Sequence, residues 1–155
     1  MLPARPSSWK GHLILLRALA RLEHLRVAIV LLGAGDFNTG YAEMLEKTSV
    51  ELGLGANVRI TTSSRDMPAA LMLADVVVMP SIHPEPFGRI AIEAQAMGRP
   101  VIAFDHGGAR ETILEGKTGW LAKPNDIDSL SANLKAALSI SKSKRNELSN
   151  LAQSN

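Results

Sequence analysis

Residues 80–94 read PSIHPEPFGRIAIEA, with two carboxylates, Glu85 and Glu93, separated by seven residues. Each carboxylate can accept two hydroxyl hydrogen bonds, so a pair of them suits a ligand rich in hydroxyl groups. Pro86 fits the first position of a helix, which puts Glu85 just ahead of it and Glu93 about two turns inside. Both acids could then face one elongated ligand at different points. The same placement leaves the backbone N–H groups of Phe87, Gly88 and Arg89 without intrahelical acceptors, ready for phosphate or sugar oxygens. Gly88 puts no side chain in a ligand's way. The competing reading makes Glu85 an exposed loop acid and Glu93 part of a solvated helix face, as charged residues mostly are. The apolar neighbours of Glu93, namely Ile90, Ala91, Ile92, Ala94 and Ala96, disfavour an idle carboxylate there.

These acids need a frame, and the chain supplies an α/β pattern in which short β-branched runs alternate with longer amphipathic stretches. The expected strands are 27–32, 57–61, 76–79, 100–104 and 119–122. Their nearly continuous apolar character is that of a parallel sheet covered by helices on both faces. The expected helices are 10–23, 40–53, 66–74, 86–97, 109–114 and 126–138, the first with a broad apolar stripe of leucines. Residues 1–4 read as the end of a strand whose beginning is absent, which suggests a piece of a longer protein. One domain spans 1–138, and 139–155, rich in Ser, Lys and Asn, reads as a weak terminal helix with a small seam of Leu148 and Leu151, prone to fraying. Segment 80–94 follows the strand 76–79 directly, and ligands in such sheets bind at the strands' carboxyl ends.

With 155 residues and 46% hydrophobic content, the chain can bury one core unaided. It contains no cysteine, which excludes disulfides and thiolate metal sites and gives a mild preference for the cytoplasm. A formal charge of +2, with few aromatic side chains, argues against nucleic acid as a partner. No apolar run approaches the roughly 20 residues of a membrane span. Peripheral contact with a membrane surface stays open.

At the carboxylates a family resemblance becomes specific. Pro80-Ser81, Glu85-Pro86-Phe87-Gly88, Glu93-Ala94, Ala96, Gly98 and Pro100-Val101 resemble the E-x7-E signature region of the GT4-like retaining glycosyltransferases of GT-B fold, with one extra residue between Ser81 and Glu85. The resemblance runs from Arg5 to about Leu138. It implies a Rossmann-like, carboxy-terminal donor-binding domain, one half of a GT-B enzyme whose acceptor-binding domain is absent from this sequence. It implies that Glu93 binds the donor ribose, and that Glu85 and the backbone of Phe87, Gly88 and Arg89 hold the transferred sugar, with Ile90 also in the donor site. Arg5 and Lys10 match the family's GR and KG, with Ala4 where Gly is common. Their implied role, with Glu85, is catalytic: they neutralise the diphosphate as its charge grows during bond breaking. Without the resemblance they read equally as solvated cations. Arg59 and Ile60, at the expected third strand, correspond to a region that contacts the base, although the family's usual aromatic and Gly are missing. The implied partners are a nucleoside-diphosphate sugar as donor substrate and, through the absent domain, a glycan or lipid-linked acceptor, with a hexosyl group transferred, no cofactor and no tightly held metal.

Other motifs carry less. Gly33-Ala34-Gly35 begins a dinucleotide fingerprint, but Asn38 stands where its third Gly or Ala belongs, so a tight strand-to-helix turn is the better reading. Gly107 and Gly108 followed by Glu111, and Gly116 with Gly119, resemble the family's later turns; Glu111 reads as a structural helix acid. His12, His24, His83 and His106 read as surface or loop residues, with His83 and His106 the two nearest the expected cleft. A nucleotide-sugar-binding module without turnover is the alternative reading. A dinucleotide oxidoreductase domain is a weaker one, since it leaves Glu85 and Glu93 unexplained.

Overall fold

The computed structural model describes residues 1–22, 27–35 and 39–155. Six parallel strands and seven helices alternate along them: β1 (Leu2–Pro3), α1 (His12–Leu19), β2 (Ile29–Leu32), α2 (Thr39–Glu51), β3 (Val58–Thr61), α3 (Met67–Met72), β4 (Val77–Met79), α4 (Arg89–Ala96), β5 (Val101–Phe104), α5 (Ala109–Thr112), β6 (Gly119–Ala122), α6 (Ile127–Ser139) and α7 (Lys142–Ser154). The strands form two parallel ladders, β1-β2-β3 and β4-β5-β6. At their shared edge the Val78 N–H donates to the Met1 carbonyl at 2.8 Å, and the Met1 ammonium to the Val76 carbonyl at 2.8 Å. The spatial order is therefore β3-β2-β1-β4-β5-β6. Strand succession reverses between β1 and β4, and their carboxyl ends open a crevice there, the place where such sheets bind ligands.

Alternation along the strands builds two cores. In β5, Ile102 and Phe104 point into one cluster with Leu15, Leu16, Leu45, Leu130 and Leu134 of α1, α2 and α6. Val101 and Ala103 point into the other, with Leu71, Ala91, Ala94 and Ala109 of α3, α4 and α5. Both faces of the sheet are thus covered, which is why its strands read as unbroken apolar runs.

Three local expectations change. A helix starting at Pro86 would need the Glu85 carbonyl as its first acceptor, but the Gly108 N–H takes that carbonyl at 2.8 Å. Gly88 at φ 58° then serves as the cap, a left-handed conformation costly to other residues, and α4 starts at Arg89. The first expected helix starts two residues late, at His12: Lys10 closes a single 3-10 turn, Ser8–Lys10, and Gly11 at φ 77° separates that turn from α1; a Cβ there would collide with the Pro80 carbonyl. Its expected end at Glu23 lies outside the described residues, as do His24 and Asn38. Within the tail 139–155, Ser139 still belongs to α6 and Lys142–Ser154 form a docked helix. Ser141 caps α7, Leu148 and Ala152 are buried one turn apart, and Leu151 stays partly exposed, so the apolar seam pairs Leu148 with Ala152 rather than with Leu151. Asn155 also donates to Gln95 Oε1 and the Thr112 carbonyl, both at 3.0 Å, holding the end of α7 against the α4 side of the sheet.

Candidate donor-binding cleft

At the β1/β4 crevice a cleft of about 470 Å³ collects Arg5 and Lys10 from the loop after β1, Gly33 after β2, Ser63 after β3, and Glu85 through Ile90 with Glu93 after β4. Eight of the ten residues singled out in the sequence meet there: Arg5, Lys10, Glu85, Phe87, Gly88, Arg89, Ile90 and Glu93. Arg59 and Ile60 do not. Arg59 turns its guanidinium back to the carbonyls of Val58 and Ala56, and Ile60 packs against the core, because both lie inside β3 and not beyond its carboxyl end. The residue that β3 delivers to the cleft is Ser63, joined by Met67 of α3. Sequence reasoning passed over both, although the strand-end rule alone points to 62–64.

Lys10 and Glu85 meet directly. The ammonium donates to Glu85 Oε1 at 2.8 Å while lying 4.1 Å from the centre of the Trp9 ring. Ser81 donates to the same Oε1. Both partners are about four-fifths buried, so the pair is better shielded from water than the other ion pairs among the described residues. Among the described residues Arg5 and Arg89 form no ion pair, and they stand exposed at the cleft. Glu93 lines the cleft on the exposed side of α4, since Ala91, Ala94 and Gln95 are the residues that face the core. Its apolar sequence neighbours thus do not bury it. At the start of α4 the N–H groups of Arg89 and Ile90 lack intrahelical acceptors, while that of Ala91 is bonded to the Gly88 carbonyl. The free donors are shifted from the expected set, but they still lie in the cleft lining.

A larger groove of about 640 Å³ runs along the β1–β3 side of the sheet beside α3, but among the described residues Asp75 is its one charged side chain. Those residues bring no cationic side chain to balance a diphosphate. The smaller cleft contributes Arg5, Lys10, Arg89 and helix N–H groups, the combination that anionic oxygens require.

Of the histidines, His83 is exposed and lines neither space. His106 sits beside Glu85 and Ser81. His12, expected at the surface, is fully buried behind the Ser7–Lys10 loop, with Nδ1 3.2 Å from the Tyr41 hydroxyl. Burial holds its imidazole below the ordinary 6.5, Lys10 adds to that, and the backbone of Ser7 and Ala4 works the other way. The group is depressed, so the unfolded chain takes up the proton first, and the stability it represents is lost as pH falls. Urea titrations are expected to show the chain weakening as pH falls below 6.5 through His12, and His12→Gln should reduce that loss. A flat profile in the parent chain would contradict the assignment.

A model of the glycosyl transferases group 1 family matches residues 3–154. The chain belongs to this family. A GDP-mannose-dependent alpha-(1-6)-phosphatidylinositol monomannoside mannosyltransferase of Mycolicibacterium smegmatis is 36% identical over 132 residues, covering 78% of this chain and 33% of that protein. A glycosyltransferase structure from Rickettsia africae superposes with a TM-score of 0.92 at 31% identity, over 99% of this chain and 41% of the other. The Anabaena HepE structure in complex with UDP-glucose superposes at 0.88 with 32% identity, over 99% and 42%. The chain thus spans about a third of that curated relative and about two fifths of these structures. As a glycosyl transferases group 1 chain it has the Rossmann-like architecture of a GT-B half. The family match includes α7, beyond the Leu138 limit of the resemblance seen in sequence. Among the described residues no helix is long and apolar enough to cross a membrane.

Proposed function

We propose that this chain is the donor-binding half of a retaining glycosyltransferase of GT4 type, which takes a hexosyl group from a nucleoside-diphosphate sugar and passes it to a glycan or lipid-linked acceptor held by another domain. The observation that carries this reading is the single cleft in which Arg5, Lys10, Glu85, Glu93 and the start of α4 converge. The cations and helix N–H groups suit a diphosphate, and the two carboxylates suit hydroxyl groups. The relatives agree in kind: one is named for its GDP-mannose dependence and another is solved with UDP-glucose. In this reading Glu93 holds the ribose and Glu85 the sugar, while Ser63 and Met67 stand nearest the base.

Calorimetry with UDP, UDP-glucose, GDP and GDP-mannose tests it. At least one nucleotide is expected to bind, and Glu93→Gln, which replaces a charged acceptor of ribose hydroxyls by a neutral one, is expected to weaken it about tenfold. Unchanged affinity in that variant would remove the ribose assignment, and no binding of any probe would remove the donor-site reading.

A further inference from the structure

Glu85 is restrained mainly through one oxygen. Lys10 and Ser81 both donate to Oε1, and a carboxylate's lone pairs are shared over two oxygens, so Oε2 keeps room for another donor. Beside this carboxylate lies a void of about 10 Å³ lined by Ser81, Glu85, Gly88, Phe104 and His106 among others. His106 reaches it from the turn after β5. That turn is locked to the Glu85 backbone: the Gly108 N–H donates to the Glu85 carbonyl at 2.8 Å, and Gly107, at φ 56°, lies so close that a Cβ would stand 2.5 Å from the same oxygen. Both His106 ring nitrogens are shut off from solvent and have no hydrogen-bond partner among the described residues. His106 is half-buried as a residue, but each shielded ring nitrogen left unpaired is costly, and pairing one of them removes part of that cost. A void of about this size accommodates one water, and a buried water needs about two to four polar partners. Three of the residues that line it carry polar side chains: His106, Ser81 and Glu85.

We propose that this void is a single-water site linking the His106 imidazole to the Glu85 carboxylate, which makes His106 a positioning residue for Glu85. A ring N–H donates to the water oxygen, and the water donates one hydrogen to Glu85 Oε2. The functional consequence rests on the donor-site reading above. A bound diphosphate draws Lys10 away from Glu85, leaving Ser81 and the water to aim the carboxylate at the sugar. His106 therefore affects the gain in affinity that the sugar adds to the nucleotide, and not the nucleotide's own affinity.

Two measurements test this. A crystal structure at a resolution that shows ordered waters is expected to place one water within about 3.2 Å of a His106 nitrogen and of the Glu85 carboxylate. A dry void, or His106 bonded directly to Glu85, overturns the proposal. Calorimetry then compares UDP with UDP-glucose and GDP with GDP-mannose. His106→Leu is expected to cut the affinity ratio of conjugate to nucleotide about 5- to 30-fold and leave the bare nucleotide within about twofold, while His106→Gln retains most of the ratio. An unchanged ratio in His106→Leu, or equal losses for conjugate and nucleotide, overturns it. If His106→Leu does not fold, the water density decides. If the parent chain binds none of the four probes, the donor-site reading falls, and the density still decides the water site.

Discussion

Lys10→Ala is expected to weaken binding of a nucleoside diphosphate about 10- to 100-fold, the range of a lost charged hydrogen bond. Two effects of the same sign add. The substitution removes a cation, and it leaves the Glu85 carboxylate, 21% exposed and 2.8 Å from the vacated ammonium position, without that partner. An unpaired carboxylate at this depth repels the phosphates that Arg5 and the start of α4 attract. Glu85→Gln is expected to act in the opposite direction on the bare nucleotide. It frees Lys10 from an ion pair that the diphosphate must otherwise displace, and tightens binding by about two- to fivefold, the scale of a partly exposed pair. For the sugar conjugate the sign is expected to reverse, because in the proposed reading a neutral amide replaces the charged acceptor of the sugar hydroxyls. The double variant Lys10→Ala/Glu85→Gln is expected to bind the bare nucleotide better than Lys10→Ala alone, since the repelling carboxylate is gone. Calorimetry of the four proteins with UDP and UDP-glucose, or the GDP pair, reads all of this. Equal responses of nucleotide and conjugate to Glu85→Gln would contradict the division of labour between phosphate and sugar. The Lys10 effect is expected to persist in moderate salt, because the pair is partly shielded, while that of Arg5→Ala fades, because Arg5 is exposed.

The sheet and the cleft were legible in the sequence for a simple reason. Strands buried on both faces leave unbroken apolar runs, and the carboxyl end of one such run, at Met79, is followed within the next residues by Glu85 and the start of a helix. The Arg5 and Lys10 loop had no such internal signal and became visible through family resemblance; its place opposite Glu85 depends on β1 lying beside β4, a contact between residues some 75 positions apart. What stayed hidden was set by tertiary contact. The start of α4 moved from Pro86 to Arg89 because a turn beyond β5 claims the Glu85 carbonyl. The burial of His12 follows from the packing of Tyr41 of α2 against it, with ring centres 5.6 Å apart, which no local pattern around Lys10 announces. Arg59 and Ile60 were named by analogy with a strand's exit although they lie inside the strand, whose end at Thr61 was read correctly, and the cleft takes Ser63 beyond it.

In a protein that joins this chain to an acceptor-binding domain, sugar transfer is expected to retain the donor's anomeric configuration and to survive a chelator. Arg5, Lys10, Arg89 and Ile90 line one cleft, and in the proposed donor site these cations and helix N–H groups would supply the charge compensation that other transferases draw from a divalent cation. On that proposal, charge growing on the leaving diphosphate would be met where it develops, making these groups worth more in the transition state than in the ground state. Glu85 is already bonded to Lys10 and Ser81, an arrangement suited to orienting a sugar. The favoured path is then a same-face substitution: the glycosidic oxygen leaves with the diphosphate, and the acceptor hydroxyl, entering on that same face, passes its proton to a departing phosphate oxygen. Removing the positive charge of Lys10 should therefore cost turnover about 10²- to 10³-fold, beyond what its binding loss explains at saturating donor. NMR of the product's anomeric centre reads the stereochemistry, and parallel rates with and without chelator read the metal requirement. An inverted product would refute the same-face path, and chelator-abolished turnover would show that these cations do not suffice.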